Sequence, residues 1–152
     1  MLRTFSKSVL ILATLVIIAV QFTPGARSNP PVHRERSFEN HLHVTPQVAG
    51  VLRRACMDCH SNETQWPWYS HIAPVSWAIT RDVDRGRKVF NLSEWSTGPG
   101  RNPAFAASML VTMCVDTRSG RMPRFPYAYA HPEAKLSKTE VAGFCEWTQQ
   151  EF

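Results

Sequence analysis

Cys56-Met57-Asp58-Cys59-His60 sets two thiols three positions apart with an imidazole immediately after the second. No other stretch restricts the fold as far. Covalent haem attachment needs this pattern: two sulfurs add to the vinyl groups along one porphyrin edge, and the adjacent imidazole reaches the iron from the proximal side. The competing readings are a Cys-X-X-Cys redox pair or a zinc motif, each with a chance histidine beside it. Which reading holds depends on the compartment the chain reaches.

The N-terminus addresses that question. Arg3 and Lys7 form a short cationic lead, and the 14 residues Val9 to Phe22 are uncharged and strongly apolar, ending at Thr23 and Pro24. This is the layout of a secretory signal. The run is shorter than the roughly 20 residues that comfortably span a bilayer, so a cleavable signal fits, with Ala26-Arg27-Ser28 offering small residues at the required spacing. An uncleaved anchor lengthened by Phe5 and its neighbours stays equally open. Either form places the chain beyond about residue 28 outside the cytoplasmic membrane. In an oxidising compartment zinc on thiolates is disfavoured, and no βαβ pattern surrounds the motif as a thioredoxin-like pair requires. The haem reading gains on both counts.

Charge removes another class. The formal charge of +5 comes from 17 basic and 12 acidic residues, but Arg3, Lys7 and Arg27 belong to the targeting segment. From residue 29 onward the balance is 14 to 12, a net +2, which two haem propionates would cancel. A near-neutral exported chain has no electrostatic case for nucleic acid. The roughly 120 exported residues suffice for one domain. The organisation expected is a signal peptide or signal anchor over 1–28, a Pro-stiffened linker over 29–43 and a haem-binding domain over 44–152.

Within that domain the patterning is helical throughout, with no sustained alternation. Thr45-Pro46 opens a helix, a capping side chain followed by a proline at the first helical position, and Val48, Val51, Leu52 and Ala55 give it one apolar face leading into Cys56. A second helix starts near Pro74 with Val75, Ile79 and Val83 inward; Arg81, Arg85 and Lys88 fall on other faces. A third runs from Pro103 to about Thr117, with Phe105, Met109, Leu110, Met113 and Cys114 as apolar candidates, and Gly120 stops it. Ser137 and Glu140 form a capping box that opens the last helix. The expected fold class is all-α, a small cytochrome-c-like domain around one covalent haem, preceded by the apolar N-terminal helix.

A second axial ligand must come from elsewhere. Met122 follows the helix stop at Ser119-Gly120 and precedes Pro123, which keeps it off a helix, and a thioether favours reduced iron and raises the potential. Its other reading is a core methionine, which suits Met109 and Met113 better. His71 and His131 are rival ligands that would give bis-histidine iron. Trp66, Trp68 and Tyr69 are the expected haem wall, where Tyr69 or an indole N–H has reach to a propionate; Trp77 and Trp95 read as core.

Cys56-Met57-Asp58-Cys59-His60-Ser61-Asn62-Glu63-Thr64, Trp66-Pro67-Trp68-Tyr69-Ser70, Ile72-Ala73-Pro74-Val75-Ser76-Trp77 and Ser93-Glu94-Trp95 resemble the haem-binding domain family of bacterial exported, cytochrome-c-like proteins. Asn29-Pro30-Pro31, Met122-Pro123 and His131-Pro132-Glu133-Ala134 extend the resemblance over almost the whole chain. It implies haem c on both cysteines, His60 as proximal ligand and a membrane segment that commonly stays attached. The chain departs from the family where Arg124-Phe125-Pro126 replaces a second proline and aromatics, and from Thr97 to Asp116.

Cys114 and Cys145 also lie outside the family pattern. In an oxidising compartment they suit a disulfide between the third and last helices, and closing their 31-residue separation would stabilise by about 3 to 4 kcal/mol in the chain-entropy model; two buried free thiols are the alternative. The function expected is a monohaem c-type cytochrome that passes single electrons between redox partner proteins, with the inner membrane as a further partner through the N-terminal segment. Asp58, Glu63, Asp82, Asp84 and Glu94 are scattered and no serine sits in an elbow motif, so no catalytic constellation is visible. A small peroxidase with His71 or Arg121 as distal group, or a haem-based gas or redox sensor, would instead need an open sixth position.

Overall fold

The structure, a computed structural model, describes residues 2–23, 25 and 27–151, with side chains from residue 7 onward. Pro24 and Ala26, used above for the end of the apolar run and the cleavage motif, lie outside the described residues, as do the side chains of Arg3 and Phe5. Among the described residues all regular structure is helical. The α-helices are α1 (Leu2–Gln21), α2 (Pro46–Ala55), α3 (Met57–His60), α4 (Val75–Val89), α5 (Pro103–Arg118), α6 (Tyr127–Ala130) and α7 (Lys138–Gln150), joined by several single 3-10 turns. All of the apolar run but Phe22 falls inside α1, yet among the described residues no helix is long and apolar enough to cross a membrane. Contacts divide the chain into two units, Met1–Ser28 with Gln65–Asp82, and Asn29–Thr64 with Val83–Phe152.

The second unit holds the main core. Thr45 caps α2, its Oγ1 accepting from the Val48 N–H at 3.3 Å, and Val48, Val51, Leu52 and Ala55 are all buried, as their spacing predicts. On α5 the Asn102 side chain accepts from the N–H groups of Ala104 and Phe105; Met109, Leu110 and Met113 join the core while Phe105 stays exposed. Gly120 follows with φ +71°, the left-handed conformation that glycine adopts without penalty. On α7 the capping box forms in full, Ser137 N–H to Glu140 Oε2 at 2.8 Å and Glu140 N–H to Ser137 Oγ at 3.2 Å. Arg54 of α2 reaches the same Glu140 carboxylate at 2.5 Å, and Cys114 and Cys145 are joined by a disulfide between α5 and α7.

Two segments pack otherwise than their patterns predict. Residues 29–43 contain two 3-10 turns, Arg34–Arg36 and Phe38–Asn40, and Phe38 sits in the core cluster with Leu52 and Trp95; one aromatic in a charged stretch gives no periodic signal. On α4, Val83 is buried but Val75 is exposed and Ile79 only half-buried. The side chains buried instead are Ser76 and Thr80, with the Thr80 hydroxyl satisfied by the Ser76 carbonyl at 2.9 Å. Backbone comes close there: a Cβ on Gly25 would meet Thr80 Oγ1 at 2.6 Å. Small polar residues allow that approach, and hydropathy does not register it.

In the first unit the end of α1 is tied to residues 70–77. The Gln21 side chain accepts from the Ala73 N–H at 3.1 Å and donates to the Ala73 carbonyl at 3.2 Å. The Trp77 indole donates to the Thr23 carbonyl at 2.8 Å, and Arg27 donates to the Ser70 carbonyl at 3.0 Å. Trp77 is therefore an exposed ring with its N–H satisfied, whereas Trp95 is a fully buried core residue.

Candidate functional site

The cysteine-histidine motif is built where α2 stops. The Cys56 N–H still bonds to the Leu52 carbonyl at 2.9 Å, but its φ of −127° bends the chain before α3 resumes for one turn. The Cys56 carbonyl then accepts from the N–H groups of Cys59 at 3.2 Å and His60 at 2.9 Å. Residues three and four apart on a helical turn share a face, so this turn gathers both thiols and the imidazole. Neither thiol is in a disulfide, and both are half-buried. Burial, and after it the nearby Cys59, push the Cys56 thiol up to about 12, so it stays protonated at neutral pH.

His60 is buried. Its ring stacks on Phe90, centroids 4.0 Å apart and planes within 10°, and its Nδ1 faces the Phe90 carbonyl oxygen at 3.4 Å. A carbonyl only accepts, so Nδ1 carries the proton and Nε2 keeps its lone pair. Burial lowers the pKa below the ordinary histidine value, outweighing the opposite pull of the Phe90 and Gly86 carbonyls. The result is a neutral, oriented imidazole with one unprotonated nitrogen. That is the state an iron ligand needs.

The four residues after His60 are locked by a polar network. Ser61 Oγ donates to the Met57 carbonyl at 2.7 Å, and Thr64 Oγ1 donates to the Asp58 carbonyl at 2.7 Å, which closes the turn from both ends. The Asn62 N–H donates to Ser93 Oγ at 3.0 Å, and Asn91 Nδ2 donates to Asn62 Oδ1 at 2.8 Å. Arg87 spans the group: Nε donates to the Ser61 carbonyl at 2.8 Å, and one terminal nitrogen donates to Thr64 Oγ1 at 2.9 Å and Asn29 Oδ1 at 3.0 Å. Ser61, Asn62, Thr64 and Ser93 are all buried, so each bond satisfies a group that water does not reach.

On the other side of the motif, Tyr127 Oη donates to Asp58 Oδ2 at 2.8 Å and lies 3.1 Å from the Arg54 carbonyl. Burial first, and then the Asp58 carboxylate, raise the phenol well above its usual range. Its ring stacks on His131 at 4.4 Å, whose Nδ1 pairs with Glu133 at 3.0 Å. His131 is thus engaged by Tyr127 of α6 and by Glu133.

Met122 lies half-buried on the loop between α5 and α6. Its N–H donates to the Asp116 carbonyl at 3.1 Å, and Arg121 pairs with the Asp116 carboxylate at 2.5 Å, so the loop backbone is held on the end of α5. Trp66 and Tyr69 are half-buried, Trp68 is 75% exposed and edge-on to Tyr69, and His71 is exposed; all four belong to the first unit. Arg87 and Tyr127 are the site residues that pattern reasoning passes over. An arginine on a charged helix and a tyrosine at the start of the short α6 carry no local signature, since each gains its meaning from a partner more than twenty residues away.

A family model described as a haem-binding domain matches residues 15–150. No curated protein and no solved structure matches the chain.

Proposed function

The chain belongs to the haem-binding domain family, and on that premise we propose that Cys56 and Cys59 hold one haem through thioether bonds, with His60 Nε2 as proximal ligand and Met122 as distal ligand. The chain then acts as a monohaem c-type cytochrome that relays single electrons between redox partners on the periplasmic face of a bacterial inner membrane, held there by its N-terminal segment. It is a carrier rather than a catalyst. Bound haem supplies a one-electron iron couple.

The observation that carries this reading is the His60 geometry. A buried histidine whose Nδ1 is committed to a backbone carbonyl leaves only Nε2 for coordination, and it does so one residue from the Cys59 thiol and four from the Cys56 thiol. The chain's own residues do three things there. Gly86 and Arg87 fix the turn, Phe90 orients the imidazole, and burial keeps that imidazole neutral.

The test is expression of the full chain with a cytochrome-c maturation system, followed by acid-acetone extraction. Haem that remains on the polypeptide, and is lost from a Cys56→Ala, Cys59→Ala variant, supports covalent attachment. Complete extraction from the unaltered chain would refute it.

A further inference from the structure

The first unit exposes apolar side chains in a pattern the haem site does not use. Along α1, Val9, Leu10, Ile11, Leu12, Leu15, Val16, Ile17 and Ile18 are all more than half exposed, and Phe22 just beyond it is 81% exposed. Residues 68–77 add Trp68, Ile72, Val75 and Trp77, each exposed. These two sets adjoin. Ala73, next to Ile72, is bonded in both directions to Gln21 at the end of α1, and the Trp77 indole is bonded to Thr23, next to Phe22.

Charge supplies a second observation. On the exported side of the anchor, residues 22–28 and 65–82 carry Arg27 and Arg81 against the single acid Asp82. The rest of the exported chain is nearly balanced. An apolar surface accompanied by two cations and a single carboxylate suits an anionic phospholipid surface. Trp77 has the form of an interfacial indole, its N–H satisfied by protein and its ring turned outward.

We propose that residues 68–77 form a lipid-facing seat, in which Trp68, Ile72, Val75 and Trp77 enter the headgroup boundary of the bilayer beside the end of α1. The inference rests on the anchored reading of the N-terminal segment. It adds that the anchor does not end in a free tether: the Gln21, Thr23 and Arg27 bonds fasten residues 70–77 to it, so both meet the same membrane surface.

The test uses the full haem-loaded chain reconstituted into vesicles of phosphatidylethanolamine and phosphatidylglycerol that contain a phospholipid with a diazirine near the headgroup end of its acyl chain. After irradiation, adducts are mapped by peptide mass spectrometry. Phe125 and Tyr129, 77% and 75% exposed in the second unit, are the comparison. Labelling of residues 68–77 several-fold above those two, together with labelling of α1, is the expected result. Labelling of α1 with residues 68–77 no higher than Phe125 and Tyr129 overturns the seat and leaves its apolar side chains to a protein partner. An unlabelled α1 overturns the anchored reading itself, and the seat with it.

Discussion

Gly86 of α4 lies against Cys59 of α3 so closely that a Cβ at position 86 would overlap the Cys59 carbonyl, with the Cys59 Cβ only 3.1 Å away. Glycine inside a helix costs about 1 kcal/mol relative to alanine, so its presence here follows from the contact. Backbone meets backbone, and neither side has a flexible tip to give way.

Gly86→Ala should therefore destabilise the chain, the overlap costing about 1–3 kcal/mol against the smaller gain in helix propensity, and should reduce the yield of haem-loaded protein. Gly143→Ala on α7 is the control, because its Cβ would meet nothing within 4 Å; it should stabilise by about 0.5–1 kcal/mol. Urea unfolding of both variants decides the matter, and equal midpoints would show that the Gly86 contact is not tight.

Arg87 is expected to set the rigidity of the segment that follows the motif. Arg87→Met leaves the buried Ser61 carbonyl and Thr64 hydroxyl short of a charged donor, a loss of about 2 kcal/mol. Arg87→Lys should restore only part of it, since a single ammonium does not reproduce the fork that reaches Ser61, Thr64 and Asn29 together. Denaturant midpoints ordered Arg, Lys, Met would bear this out; a Met variant as stable as the parent would not.

What sequence patterns reveal here is local. The buried face of α2 and the Ser137-Glu140 box depend on neighbours within one or two turns, and both form as their spacing predicts. The close packing of α4 is different, because Ser76, Thr80 and Gly86 matter through what approaches them, and hydropathy scores them as nothing. Val75 and Trp77 show the opposite error: apolar by type, they are exposed. At the candidate site, Cys56, Cys59 and His60 stand out in the sequence because five consecutive residues bring two thiols and an imidazole together. Phe90 acts on that turn from 30 positions away and Tyr127 from 69, while Arg87 reaches the residue after it from 26, and no short window contains them.

Glu140 predicts a specific acid response. The Arg54 guanidinium first, and then the Ser137 cap, hold its carboxyl down at about 2 against an ordinary 4.5. A depressed folded-state value means that the unfolded chain takes up the proton more readily, so this contribution to stability is complete above pH 4.5 and is lost as pH falls from 4.5 towards 2. Glu140→Gln should flatten the unfolding midpoint across that window while lowering it at neutral pH. A Gln variant with the same acid profile as the parent would assign the acid sensitivity to other carboxylates.

Met122 is where the carrier reading is most directly exposed to experiment. Its backbone is fixed by Asp116 whether or not its sulfur meets iron, so Met122→Ala removes the thioether without releasing the loop. With Met122 on the iron, the parent reduced protein binds carbon monoxide slowly and weakly, and the alanine variant binds it quickly because the sixth position has opened. The variant should also lose the methionine-to-iron charge-transfer band of the oxidised protein and fall in reduction potential, since a thioether favours the ferrous state. Rapid, tight binding by the parent protein would instead identify an open distal site of the kind a gas sensor or peroxidase uses. An alanine variant with unaltered spectrum and potential would take Met122 off the iron and pass the distal position to another group, for which His71 and His131 remain the first to substitute.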